Sequence, residues 1–556
     1  MDTLRSSPDL TRRQLFGAGG AAALLCGSGA LRAATPGPAA PASQSASAAA
    51  PTPAEPPAVE PMAPASAPAA EPPAPLQPLP SPAQRREEAA LLRDALQTLH
   101  PGLYRYRKPA ELDTAFAAMA QAFAAAPDID ALRVAAQRMA AFIRCRHTGL
   151  NPLHQGRDLQ VDRLARADCM PLLWRVVERR LIVSVSLVPG ILRGDEVLSI
   201  DGKPVAAVID ALWPLLAADG STDAARLVQL GDEAVAPTEA NAFDRFFSAL
   251  QPPGSGGWTL RVRNTDDAPP TQVQVPAVSL GARAERLRQA FLVPPPPRWS
   301  FDVQRDVARM DLPTFDFVGR TAPFAAAFDW QAWLARSFQA LREQRITKLL
   351  IDLRANDGGG PDDEAVAALL TRYLANATVR PEPYDARVVA GSVPLTLAAH
   401  LQAPDRRDLQ RESELAPAPG PLDARYQRFT RGALADRDPA PLQPMDLAYK
   451  GRVAVLIGPL CQGAVHRMLF TLKSARLATL VGGPTGGNLR GDNGSPIAWL
   501  ALPYSGVAID VPLVAWLPRR PLPDEPVLPH LPVNPSVNGW RFGHDEVFDA
   551  GLKWLG

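Results

Sequence analysis

The stretch LLIDLRANDGGG, residues 349–360, decides the fold class. It is an apolar strand that breaks into glycines, and helical spacing resumes immediately in DDEAVAALLTRYLA (362–375). The same alternation extends to both sides. VARMDLPTF (307–315) reads as a strand and WLARSFQALREQ (333–344) as a helix. VAVLI (453–457) is again a strand, AVHRMLFTLKSA (464–475) a helix, and ATLVGGPTGG (478–487) a strand ending in a glycine turn. Strands and helices in this order predict a layered α/β core over residues 293–556. A Pro-, Asp- and Arg-rich stretch near 380–445 breaks the alternation and reads as an insertion over one face.

Upstream the pattern changes twice. Residues 156–292 carry short strands, LLWRVVE (172–178), LIVSVSLV (181–188) and WTLRVRN (258–264). Within them GDEVLSIDGKPV (194–205) places an Asp201-Gly202 hairpin after a strand. Residues 84–155 are helical, with REEAALLRDALQTL (86–99) and two Ala-rich helices separated from it by HPGLYRY (100–106). Residues 35–83 are a Pro/Ala-rich tract that cannot bury a core and reads as an extended, disordered linker. Residues 1–34 read as an export signal. Arg12 and Arg13 precede Gln14-Leu15-Phe16 and a short apolar run, followed by small residues suited to cleavage. The paired arginines point to the twin-arginine route and hence to a periplasmic or secreted protein. That run is too short for a stable anchor, so no membrane span is expected after signal removal.

Composition excludes several classes. With 58 basic and 57 acidic residues there is no field for nucleic acid. The seven histidines are scattered and no cysteine pair has zinc-ligand spacing, so neither a metal nor another cofactor is expected. Without the signal, Cys145, Cys169 and Cys461 remain. A Cys145–Cys461 disulfide and two buried thiols are both open readings.

Five blocks in this order resemble the tail-specific, or C-terminal processing, protease family of serine peptidases. They are FIRCRHTGL (142–150), GDEVLSIDGKPV, LLIDLRANDGGG, VAVLIGPLCQGAVHRM (453–468), and LVGGPTGGN (480–488) with LALPYSGVAIDVP (500–512). The resemblance implies an N-terminal helical region, a PDZ-like module at 156–292 and an α/β protease core. It implies serine peptidase action on polypeptides, with Gly358, Gly359 and the Ala464 N–H as oxyanion donors. His147, before Thr148 and Gly149, matches the histidine of the tricorn-like branch and would be the general base. The family's serine falls at Gly463, which has no side chain. The lysine of the family's Ser-Lys branch is also missing, because Asn488, Leu489 and Arg490 follow the TGG turn. Cys461 is the thiol that would have to replace the serine, two positions early. His466, one turn beyond Gly463, either faces the cleft or covers the polar side of its helix, the second being the expectation. Two functions follow: a peptidase whose activity the glycine puts in question, or a catalytically inactive pseudoprotease that binds peptides or envelope partners. Oligomeric state is not legible.

Overall fold

The computed structural model describes residues 78–556 except 296, 318–327, 361, 406–408, 410–414, 419–424, 431–433 and 435–438. The expected signal peptide and nearly all of the expected linker lie outside the described residues. No described helix is long and apolar enough to cross a membrane.

The core is a six-stranded sheet in the order Leu531–Pro532, Thr479–Gly482, Arg452–Ile457, Lys348–Asp352, Val307–Asp311, Ser300–Gln304. All neighbours pair in parallel except the edge strand Ser300–Gln304, which runs antiparallel. Successive side chains of a strand point to opposite faces, and the burial follows that period. Leu349 and Ile351 pack with Leu334, Phe338, Val366, Leu370, Val465 and Leu469, which come from three helices: Trp330–Glu343, Asp363–Leu374 and Gly463–Ser474. Leu350, Ala454 and Leu456 face the other way, against Val547 and Leu555 of the helix Glu546–Leu555. A Cβ on Gly551 would lie 2.9 Å from Leu350 Cδ1 and Leu456 Cδ2, so glycine lets that helix settle onto the sheet. An apolar strand covered on both faces is what LLID predicts.

The helical region comprises Pro82–Leu99, Pro109–Ala125 and Ile129–Phe142, the first and third capped by Ser81 and Asp128 side chains. A fourth helix, Arg157–Ala165, continues it past residue 155. The middle module is an antiparallel sheet of Leu172–Val177, Arg180–Ser186, Glu196–Ile200, Trp258–Arg263 and Thr271–Val275. Asp201 and Gly202 turn the predicted hairpin with φ of 47° and 78°, as a two-residue turn with both central φ positive requires. Trp174, Phe243, Phe247 and Trp258 form its aromatic interior, shared with the helix Ala242–Leu250.

The described residues of the stretch near 380–445 include strands. Tyr384–Val389, Leu401–Gln402, Leu415–Pro417 and Tyr426–Phe429 join Asp492–Ala501 and Ala508–Pro518 in a second six-stranded antiparallel sheet. Pairing with the edges of the 492–518 hairpin satisfies main-chain groups that neither composition nor periodicity reveals.

Candidate functional site

The pairs Asp352↔Leu456 and Ile457↔Gly482 fix the register of three core strands. The turns that leave Asp352, Ile457 and Gly482 therefore emerge together at the carboxyl edge, where open parallel sheets hold their sites.

The first turn is held by a buried amide. Asn356 Nδ2 donates to the Leu312 carbonyl at 2.7 Å, and Asn356 Oδ1 accepts the Gly358 N–H at 3.1 Å. Gly358, Gly359 and Gly360 follow with φ of 71°, 78° and 104°, a run that only glycine adopts without strain. A Cβ on Gly358 would stand 3.0 Å from the Gln462 carbonyl oxygen and 3.4 Å from Ala464 N. The glycine turn is thus pressed against the start of the next helix. Arg354 fixes its base, reaching Asp352 at 2.6 Å and Asp545 at 2.7 Å.

The second turn delivers Gly463, the first residue of the helix Gly463–Ser474. Its φ is 53°, and a Cβ there would meet only the Asp357 carbonyl oxygen, at 3.8 Å. Gly463 is half-buried, and the position has room for a side chain it does not possess. Ala464 is buried behind it, its N–H in the first helical turn, where amides lack intrahelical acceptors and the helix end is positive.

The expected donors divide. Gly358 N–H is taken by Asn356, and beyond Gly359 the Asp363 carboxylate is pushed up to about 6 by burial and neighbouring Glu364, with the Gly359 backbone working the other way. Of the three, Ala464 is the one set at a helix start.

Cys461 is fully buried, and its thiol donates to the Leu353 carbonyl at 3.1 Å. Burial pushes its pKa up to about 12, so it carries no thiolate at neutral pH. Its carbonyl accepts from Gly486 and Gly487 at 2.9 and 3.3 Å, tying the second turn to the third. The placement corrects the thought of a replacement nucleophile: the sulfur faces the core. The possible disulfide is corrected too, because Cys145, Cys169 and Cys461 are all free and buried, and Cys145 Sγ receives Asn493 Nδ2 at 3.2 Å.

His147 is half-buried with Nδ1 shut away from solvent and without a partner. Burial, then the charge of Arg146, push its pKa down to about 3, with the Asn493 backbone working the other way. The ring is therefore neutral at pH 7. Among the described residues no hydrogen bond joins it to the 458–464 turn. The link between the two is electrostatic: the Arg146 charge reaches Asp357, beside Gly358.

Residues absent from the sequence reading hold the His147 loop. His100 Nδ1 accepts the Gly102 N–H at 3.1 Å, which leaves its Nε2 to donate to Thr148 Oγ1 at 2.8 Å. Asp219, buried and pushed up to about 6, accepts the Arg146 N–H at 3.1 Å. Gly220 sits where a Cβ would strike Asp524, Asn488 and Tyr106, so the middle module's 219–221 segment is wedged between the HPGLYRY turn and the third core turn. HPGLYRY was a visible signal for His100; Asp219 lies in no recognisable pattern.

His466 also departs from expectation. It is buried, with Nδ1 2.9 Å from Thr485 Oγ1, and a Cβ on Gly487 would lie 2.4 Å from its Cγ. The TGG turn closes over the imidazole instead of leaving it on a polar face. At the position of the absent lysine, Asn488 Nδ2 donates to Asp524 Oδ1 at 2.7 Å.

Comparison with known proteins now bears on this geometry. Residues 306–519 match the sequence profile of Peptidase family S41. Mature CPAF in complex with lactacystin aligns over 85% of this chain and 98% of its own, at 15% identity and a TM-score of 0.55. A CPAF point mutant aligns over 85% and 96%, at 14% identity and a TM-score of 0.56. At such identities the likeness shows the fold. No curated protein matches the sequence significantly.

Proposed function

We infer, from a chain whose residues 306–519 match the peptidase family S41 profile, that it engages extended polypeptides at the carboxyl edge of its core sheet. In this reading the attacking group of a serine peptidase is missing. One observation carries it: Gly463 stands half-buried at the helix start beside Gly358, and a Cβ there would meet only the Asp357 carbonyl oxygen, at 3.8 Å. A scissile carbonyl placed there meets the Ala464 N–H and the positive helix end, the electrostatic part of the apparatus. No hydroxyl stands between Gly458 and Val465, and the one thiol faces the core. In this reading the middle module, whose GDEVLSIDGKPV stretch resembles the family's PDZ-like module, would present a strand edge to the same polypeptide.

The test uses an unfolded, fluorescently labelled polypeptide and the purified chain. Anisotropy should rise on mixing, while gel analysis shows no fragments above the no-protein control. Specific fragments that disappear in His147→Ala would overturn the absence of a nucleophile. Absence of binding would remove the polypeptide reading altogether.

Export is part of the same proposal and rests on Arg12-Arg13 ahead of the apolar run. Replacing both arginines with lysine should hold the precursor in the cytoplasm and abolish the processed periplasmic form on a fractionation blot. Normal processing of that variant would refute the twin-arginine assignment.

A further inference from the structure

The helix Gly463–Ser474 is buried except at Gly463, Arg467, Phe470, Lys473 and Ser474. Gly463, Arg467, Phe470 and Ser474 recur at i, i+4, i+7 and i+11, so they share one face. At about 1.5 Å per residue that face runs about 16 Å from Gly463 to Ser474. Two cavities, of about 370 and 380 Å³, lie at its far end and share Phe470 and Ser474 as walls. Arg380, Glu382 and Arg520 line the first. Lys473, Arg476, Glu525 and His530 line the second, together with apolar Val527 and Leu528. Arg520 is neutralised by Glu382 at 2.8 Å. Lys473 Nζ donates to the Leu528 carbonyl at 2.7 Å, a neutral acceptor that leaves the charge uncompensated. Arg380 and Arg476 are exposed, and among the described residues neither has an ion pair. His530 Nδ1 accepts the Leu480 N–H at 3.0 Å, which puts the proton of the neutral ring on Nε2 as a further donor. Three cations, Arg380, Lys473 and Arg476, thus stand against one unpaired carboxylate, that of Glu525.

We propose that these adjoining cavities form a docking groove for an acidic, extended stretch of polypeptide, continuous with the chain engaged at Gly463. The groove rests on the polypeptide reading and adds a charge preference to it. An extended chain rises about 3.3 Å per residue, so about five residues bridge the helix face from Gly463 to the groove. Arg467, midway on that face, is already paired with Glu364 and Asp492, which leaves discrimination to the far end. There, carboxylates would accept from Arg380, Lys473 and Arg476 while their apolar stems cover Phe470 and Leu528, the latter 48% exposed.

The test measures fluorescence anisotropy of two labelled unfolded polypeptides titrated with the full chain, identical except that one carries glutamate where the other carries glutamine. Exposed ion pairs contribute about two- to fivefold each, so the glutamate polypeptide should bind about tenfold more tightly at low salt. The gap should close as added sodium chloride screens the charges. Arg380→Glu/Arg476→Glu should abolish the preference and leave the affinity for the glutamine polypeptide within about twofold. Equal affinity for both polypeptides, or a preference that survives the double variant, overturns the groove and leaves engagement at Gly463 standing. Binding of the glutamate polypeptide alone, lost in the double variant, supports the groove and removes engagement at Gly463. Binding of neither overturns both. A concentration-dependent dimer that the double variant dissolves assigns the groove to a second copy of the chain and overturns the proposal. If the double variant does not fold, the salt dependence of the wild-type preference decides.

Discussion

Gly463→Ser is expected to raise cleavage of an unfolded polypeptide on the order of ten-thousandfold over the parent. The magnitude follows from opposed terms. An intact hydroxyl-imidazole pair is worth about 10⁶ in kcat, and a misplacement near 1 Å forfeits about a hundredfold of that. The hydroxyl would sit beside Ala464 N–H with only the Asp357 carbonyl, at 3.8 Å from the Cβ, as a neighbour. The φ of 53° costs a non-glycine residue about 1–2 kcal/mol, a strain that active-site turns commonly hold. Labelled-polypeptide cleavage and mass spectrometry of an acyl-enzyme would both report the gain. Loss of the gain in Gly463→Ser/His147→Ala assigns the base. A folded Gly463→Ser that cleaves nothing would show that the defect extends beyond the missing hydroxyl, and would sink the reading of a single lapsed position.

Asp244→Ala is expected to destabilise the middle module by about 3–5 kcal/mol. Arg283 is 1% exposed, and both of its terminal nitrogens lie on the Asp244 carboxylate, at 2.8 and 2.6 Å. Alanine strands a buried charge and also removes the capping pair in which Asn241 Oδ1 accepts the Asp244 N–H and the Asp244 carboxylate faces Asn241 N. Replacing both partners, Asp244→Ala with Arg283→Met, removes the charge itself and should recover more than half of the loss. Trp174 and Trp258 are buried in that module, so tryptophan fluorescence during urea unfolding reads its transition. Equal stability of the single variant and wild type would mean that solvent already reaches Arg283.

The sequence made the alternation of strands and helices in the core legible because LLID, VAVLI and ATLVGG are apolar runs bounded by glycine turns and helical periods. Those local signals survive tertiary context. The second sheet was not legible. Asp492-Asn493-Gly494-Ser495-Pro496 has turn composition yet lies in a ten-residue strand, its pairing irregular between Gly494 and Ile497. Pairing there is set by a distant partner, Ala508–Pro518, which no short window contains. Around the candidate site, the family resemblance pointed to Gly358, Gly463 and His147, and of these the structure sets Gly358 against the start of the helix that Gly463 begins. The resemblance was silent on direction: which way the Cys461 sulfur points and what lies over His466 are packing outcomes. Asp219 and Asn493 were missed because they come from other parts of the chain and act only once these meet.

Gly551, where the helix Glu546–Leu555 settles onto Leu350 and Leu456, sets an order of events during synthesis. The strands Lys348–Asp352 and Arg452–Ile457, made well before it, cannot cover one apolar face until this helix has left the ribosome. Until then the parallel sheet, already slow to form because its contacts are distant in sequence, is exposed to aggregation and to holdase chaperones. The core therefore closes after translation of its strands is over, and a release factor or stall upstream of residue 546 would leave a product fit for degradation.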